Sequence, residues 1–261
     1  MNRYERWNKL LEMLAEEGQL DIETTAAALR VSGATVRRDF DELAAQQLVI
    51  RTRGGAAASN VTYDLPLRYK AGRHAPEKQR IGAAVAAMIA PHSTVGINGG
   101  TTATEVARAL ALRADLAADG RTPALTVVTN ALNIANELIV RPHIRVVLTG
   151  GTARPHSYEL IGPIAATMLD GVALDVAVIG VDAVDHRHGA SAHHDGEAAI
   201  NHTMLATASR AIVVADASKL GRRAFARICP VAEIDTLVTD TGAADEQARL
   251  FTQAGVTVAR A

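Results

Sequence analysis

Six short apolar runs, several with room for a helix after them, constrain this chain more than any other feature. They are Thr94 to Ile97, Leu125 to Val128, Ile144 to Leu148, Val176 to Val181, Ala211 to Ala215 and Thr236 to Val238. A strand with one buried face alternates apolar and polar side chains, because successive residues point to opposite sides. Runs that lack this alternation belong to strands covered on both faces, and helices covering both faces imply a mostly parallel sheet. The pattern predicts an α/β domain over residues 77–261. Apolar residues are 48% of the chain and aromatic ones only 3%, so its core must be built from Ala, Val, Leu and Ile.

The first 57 residues read differently. Tyr4, Trp7, Leu10, Leu11 and Leu14 recur at helical spacing, and Gly18 ends that helix. Asp21 is a candidate N-cap for a second helix, with Ile22, Ala26 and Leu29 on one face. Ser32 caps a third, whose apolar stripe is Val36, Phe40 and Leu43. Leu48 to Arg53 then alternates like a strand and stops at Gly54-Gly55. Three short helices and a strand predict an α+β winged helix-turn-helix domain. Residues 58–76, with two prolines and little periodicity, read as a linker.

In a helix-turn-helix, the first turns of the second helix meet base edges in the major groove. Ser32, Gly33, Ala34, Thr35, Arg37 and Arg38 occupy those turns here. Small residues permit close approach, Thr35 offers a hydroxyl, and arginine takes guanine by a bidentate pair worth about 1–3 kcal/mol of discrimination. Arg51 and Arg53 alternate on the next strand, where a hairpin wing would carry them to flanking phosphates or into the minor groove. The competing reading is a surface helix with solvated arginines, in which Arg38 pairs with Glu42 one turn on. The whole arrangement of caps, helices, paired arginines and wing favours double-stranded DNA as partner.

Net charge is −1, and over residues 1–58 eight basic side chains face nine acidic ones. A nucleic-acid role therefore rests on the placement of a few arginines, not on bulk charge. The lone cysteine, Cys229, leaves no intramolecular disulfide and no Cys-based zinc site. Neither a signal peptide nor a run of about 18 apolar residues is present, so a cytoplasmic location is expected.

Three loops that follow expected strands share one chemistry. They are Asn98-Gly99-Gly100-Thr101-Thr102, Thr129-Asn130 and Thr149-Gly150-Gly151-Thr152. Ligands of open α/β sheets bind beyond the carboxyl ends of the strands, and glycines before a helix N-terminus suit an anion. Acidic residues at later strand ends, Asp182 and Glu197 among them, suit hydroxyls, and Lys219 suits a phosphate. The plainer reading is that Asp182 and Asp216 cap turns.

The N-terminal residues resemble the DeoR family of sugar-metabolism regulators. The resemblance rests on Glu5-Arg6, Leu29, Val31-Ser32, Thr35 to Asp39, Leu43, Leu48, Arg51, Gly54-Gly55-Ala56, Pro66, Arg68 and Glu77-Lys78, and extends over nearly the whole chain. Phe40 stands where the family usually has Leu, Gln47 where it has Gly, and Asn98 where it has Asp. The resemblance implies a ribose-5-phosphate-isomerase-like sensor domain that binds a phosphorylated sugar. It also implies a repressor of carbohydrate-metabolism genes, with no catalytic residues and no cofactor. A homodimer or higher homo-oligomer is expected, because one small head holds DNA weakly.

Two rivals are weighed against this. Asp182, Asp185 and Glu197 have acid–base chemistry suited to a sugar isomerase, but residues 186–196 lack the lysine that the related isomerases use. His186, His188, His193, His194 and Asp195 are dense enough to raise a metal site, against the simpler reading of a polar loop.

Overall fold

The computed structural model describes residues 1–46, 48–58, 67–70, 72–118 and 123–261. Gln47 and, within the expected linker, residues 59–66 and 71 lie outside these residues. The chain divides into two compact units, Met1–Arg73 and His74–Ala261.

The first unit opens with α1 (Arg3–Glu17). Asn2 Oδ1 accepts from the Glu5 amide at 2.9 Å while Glu5 Oε2 accepts from the Asn2 amide at 2.9 Å. This reciprocal cap satisfies two amides that a helix start leaves without partners. Gly18 ends the helix in the left-handed region, at φ 75°. A three-residue strand, β1 (Gln19–Asp21), leads to α2 (Ile22–Leu29), capped by Asp21, whose Oδ1 accepts from the amides of Glu23 and Thr24. The turn passes through Arg30 at φ 54° to Ser32, which caps α3 (Gly33–Ala45). The wing consists of β2 (Val49–Arg51) and β3 (Gly55–Ala58), and β3 lies between β1 and β2 in an antiparallel sheet. A Cβ at Gly55 would stand 1.8 Å from the Leu20 carbonyl oxygen, so only glycine lets the wing approach β1. Trp7, Leu10, Leu11, Leu14, Val36, Phe40 and Leu43 form the core. A short helix, α4 (Leu67–Lys70), follows.

The second unit begins with α5 (Ala75–Met88), β4 (Thr94–Ile97), α6 (Thr101–Ala111) and α7 (Ala114–Ala118). Then come β5 (Leu125–Thr129), α8 (Leu132–Leu138), β6 (Ile144–Leu148), a small hairpin of β7 (Thr152–Ala153) and β8 (Leu160–Ile161), α9 (Pro163–Asp170) and β9 (Val176–Gly180). The rest is β10 (Ala183–Asp185), β11 (Gly189–Ala192), α10 (Asp195–Ala206), β12 (Ala211–Val214), β13 (Ala226–Cys229), β14 (Thr236–Thr239), α11 (Asp245–Gln253) and β15 (Thr257–Arg260).

All six expected runs are strands of one parallel sheet, ordered β15-β14-β12-β9-β4-β5-β6. Both faces are buried along its central strands, as the absence of alternation required, whereas the edge strand β6 is only partly buried, with Arg145 and Leu148 exposed. Val176, Val178, Ile212 and Val214 join α5, α6 and α8 in one core cluster. Ala177, Ile179 and Val213 join α9, α10 and α11 in the other. Two features were not foreseen. The seventh strand, β15, is a half-exposed edge, and β10, β11 and β13 form a separate antiparallel sheet. The order of the main sheet reverses between β4 and β9. In open α/β sheets a crevice opens at such a reversal, beyond the strands' carboxyl ends.

Candidate functional site

On α3, Val36, Asp39, Phe40 and Leu43 are buried, and Ala34, Arg37, Arg38 and Asp41 are exposed. The helix is held by a buried anchor. Asp39 Oδ1 accepts from Arg6 Nη2 at 2.9 Å and from Trp7 Nε1 at 2.8 Å, and Oδ2 accepts from Arg6 Nε. That hydrogen-bonded pair raises the guanidinium pKa of Arg6 above its usual value. Ser32 Oγ accepts from the Thr35 amide at 3.2 Å and meets Thr35 Oγ1 at 2.9 Å, so Thr35 is set by the cap. Gly33 is half-buried against Ile22.

The arginines divide into two kinds. Arg37, Arg38 and Arg53 are exposed and make no hydrogen bond or ion pair among the described residues. The Arg38–Glu42 pair weighed above does not form, because Glu42 pairs with Arg3 of α1. Arg51 is engaged within its own unit: Nε donates to Asp41 Oδ1 at 2.6 Å, Nη1 donates to the Gly55 carbonyl, and the guanidinium lies over the Phe40 ring. It braces the wing against α3.

In the second unit the three loops follow the adjacent strands β4, β5 and β6, the first of them at the reversal point. Asn98, fully buried, exchanges two hydrogen bonds with Gly180: Nδ2 donates to its carbonyl at 2.9 Å and Oδ1 accepts from its amide at 2.7 Å. Asn98 therefore ties β4 to β9, a reciprocal pair that a carboxylate, having no donor, cannot make. Gly99 donates its amide to Glu159 Oε1 at 2.6 Å, and a Cβ at Gly99 would come within 2.4 Å of the Glu159 side chain. Gly100, at φ 106°, starts α6 without a side-chain cap, next to Thr101 and the buried Thr102. The Thr149 amide donates to the Thr129 carbonyl at 3.0 Å, joining the second and third loops. Thr129 Oγ1 accepts from the Ala131 amide, and Asn130 Nδ2 donates to the Leu160 carbonyl at 3.3 Å. Gly150 (φ 74°) and Gly151 (φ 117°) are left-handed, and Gly151 packs against Ile161.

The expected acidic and basic residues have local tasks as well. Asp182 accepts from the His193 amide at 2.9 Å. Glu197, at the start of α10, pairs with Arg154 at 3.3 Å, both nearly buried. Lys219 Nζ donates to the Val181 carbonyl at 2.5 Å. Burial pushes the neighbouring Asp216 carboxyl up, but Lys219, the Ser218 hydroxyl and Lys78 together hold it below the usual range. Lys78, on α5, is itself buried, and the family resemblance is its one signal in the sequence.

Glu159 is the residue that the loop signature missed. It is 3% exposed, and burial, then Glu197 and Asp182, push its carboxyl up to about 8 against the pull of the Gly99 amide and Arg154. Together with Leu160 and Ile161 it joins all three glycine- and threonine-rich loops. Its only sequence signal was an acidic residue inside a short apolar stretch, Tyr158 to Ile161.

The histidine-rich segment is occupied structurally. His188 Nδ1 lies 2.8 Å from Asp185 Oδ1, and His194 Nδ1 accepts from the Gly196 amide to cap α10. His186 meets the edge of Phe251. Burial raises Asp185, yet the His188 ring and the amides of Arg187 and His188 hold it below its usual value. Among the described residues no group of three or more His, Cys, Asp or Glu could hold a metal ion. Cys229 is buried, and its thiol is pushed up to about 11. No helix among the described residues is long and apolar enough to cross a membrane.

A winged helix-turn-helix joined to a parallel α/β unit defines the class: a DNA-binding transcription regulator rather than an enzyme. The DeoR-like helix-turn-helix domain matches residues 6–62 and the DeoR C terminal sensor domain matches residues 73–241, so the chain belongs to the DeoR family. It is 34% identical to the HTH-type transcriptional repressor CsqR of Escherichia coli strain K12, over 90% of this chain and 87% of that one. It is 30% identical to the glycerol-3-phosphate regulon repressor of the same strain, over 92% of each. Among solved structures, ribose 5 phosphate isomerase A from Neisseria gonorrhoeae aligns at 20% identity with a TM-score of 0.38, covering 54% of this chain and 52% of that chain.

Proposed function

We propose that the chain represses carbohydrate-metabolism genes and that a phosphorylated sugar, bound at the strand-end site of residues 77–261, lowers its affinity for DNA. In this reading residues 1–57 are the reading head and 58–76 the linker. Ser32, Gly33, Ala34, Thr35, Arg37 and Arg38 face the major groove, and Arg53 meets a phosphate. Arg51 contributes by holding the wing and reaches DNA only by leaving Asp41. The chain acts as a homodimer or larger homo-oligomer in the cytoplasm, since paired heads multiply weak contacts.

One observation carries the sensor reading: three glycine- and threonine-rich loops follow the adjacent strands β4, β5 and β6 and are joined through residues 159–161, and the first, with the uncapped N-terminus of α6, lies at the reversal between β4 and β9. Helix-start amides and left-handed glycines suit a phosphate, and the buried carboxyls suit hydroxyls. The relatives' names, a glycerol-3-phosphate regulon repressor among them, point the same way. The test is a thermal-shift series with sugar phosphates, the free sugars and inorganic phosphate. A ligand that binds only the folded form raises its apparent stability. A shift with a sugar phosphate and none with its free sugar is expected, and Lys219→Ala should blunt it. No shift with any phosphorylated compound would refute the reading.

A further inference from the structure

Resting on that effector reading, we propose that Glu159 is a specificity-determining residue: its Oε2, with Asn130 Oδ1 and Thr102 Oγ1, forms a subsite for the polyhydroxyl end of the ligand, apart from the part that takes the phosphate.

Three observations support it. First, Glu159 is buried and held in one pose. Oε1 accepts from the Gly99 amide at 2.6 Å, and Gly99 leaves room for its side chain and no more. Oε2 has no hydrogen-bond partner among the described residues.

Second, two further buried polar atoms lie in the loops that Glu159 touches, and neither has a partner among the described residues. Asn130 Oδ1 is one; its amide is committed to the carbonyl of Leu160, next to Glu159. Thr102 Oγ1 is the other, three residues beyond the Gly99 that Glu159 holds. A buried polar atom without a partner carries a desolvation cost that a ligand's hydroxyl relieves. The set comprises an acceptor on Asn130, a hydroxyl on Thr102 and a carboxyl on Glu159, which matches adjacent hydroxyls, each both donor and acceptor.

Third, the charges around Glu159 exclude a phosphate there. Glu197 on α10 and Asp182 after β9 face it, and the cation beside it, Arg154 after β7, is paired with Glu197. With its carboxyl pushed up to about 8, Glu159 is a neutral acid at pH 7 and donates from Oε2 to a ligand oxygen. Ionisation removes that donor and adds repulsion, so ligand binding is linked to a proton.

The test is calorimetric titration of the full chain with glucitol 6-phosphate, glucose 6-phosphate, fructose 6-phosphate and glycerol 3-phosphate at pH 6.5 and 8.5, in wild type and Glu159→Gln. Glutamine keeps the acceptor for Gly99 and an N–H donor but cannot ionise. The phosphate's own titration is common to both proteins and cancels in the comparison. For a compound that binds, wild type should weaken between the two pH values by about fourfold more than Glu159→Gln, the loss expected as the neutral fraction falls. At pH 8.5 wild type alone should take up a sizeable fraction of a proton on binding, read from buffers of different ionisation enthalpy. Glu159→Ala should lose the ranking among the four compounds. Binding whose pH dependence is the same in both proteins, without proton uptake, would overturn the Glu159 assignment and leave the effector reading standing. Binding of none of the phosphorylated compounds would overturn both.

Discussion

Arg37 and Arg38 of the first unit stand in solvent on a helix whose other face is core, while Asn98, Asn130, Glu159 and Glu197 of the second are buried, the first three in loops and Glu197 in the first turn of α10. The two regions solve opposite problems. A DNA-reading surface must present unpaired cations to a large polyanion, so its chemistry lies outside and the fold only has to aim it. A small-molecule site must surround its ligand, so the polar groups proposed for it are desolvated, some paired with one another and some without a partner. The first arrangement separates scaffold from function residue by residue. In the second, a residue such as Asn98, proposed for the ligand site, also ties two strands together.

Loss of the scaffold under the reading helix should give the largest effect. Phe40 is fully buried beneath α3, and Phe40→Ala should destabilise the first unit by about 3–5 kcal/mol. Circular dichroism in urea reads that loss. Ligand binding by the second unit should survive, and its disappearance would break the separation drawn here.

Next in size is the pH dependence of stability. A carboxyl whose pKa is raised on folding contributes stability that is full below its unfolded value, 4.5, and is lost as pH rises through its folded value, about 8. A tenfold change in proton affinity corresponds to about 1.4 kcal/mol. Between pH 5 and 8, wild type should therefore lose more stability than Glu159→Gln, by a few kcal/mol. Parallel curves in chemical denaturation at the two pH values would show that Glu159 is ionised in the fold.

The smallest effects lie on the exposed arginines, where stability should not change. Arg37→Ala should cost about 1–3 kcal/mol of binding to a selected DNA sequence and relax preference at one base pair. Arg53→Ala should weaken all duplexes alike and reduce the salt slope by about one. Anisotropy titrations at several salt concentrations separate the two. Identical behaviour of both variants would mean that α3 is not the reading helix.

The same contrast explains what was legible in the sequence. The stripe Val36-Phe40-Leu43, the caps Asp21 and Ser32 and the six strands are local patterns, and local patterns survive in one dimension. The strand β1 did not, because three residues with one buried side chain cannot show an alternation. Nor did the edge strand β15, whose outer positions are wet. The competing reading paired Arg38 with Glu42 because helical neighbours are visible in a sequence, whereas Arg3, which takes Glu42, arrives from another helix. Glycine-rich loops point to the proposed sensor site. Glu159 meets Gly99 across 60 residues, and only the fold brings them together.

In the proposed mechanism the buried site governs the exposed one. This coupling is tested most directly by selecting a preferred duplex from random sequences. The full chain's affinity for that duplex is then measured with and without a saturating sugar phosphate found by thermal shift. A loss of affinity of about 5- to 150-fold is expected, the usual range of coupling between two sites. An unchanged affinity at full occupancy of the second unit would contradict it.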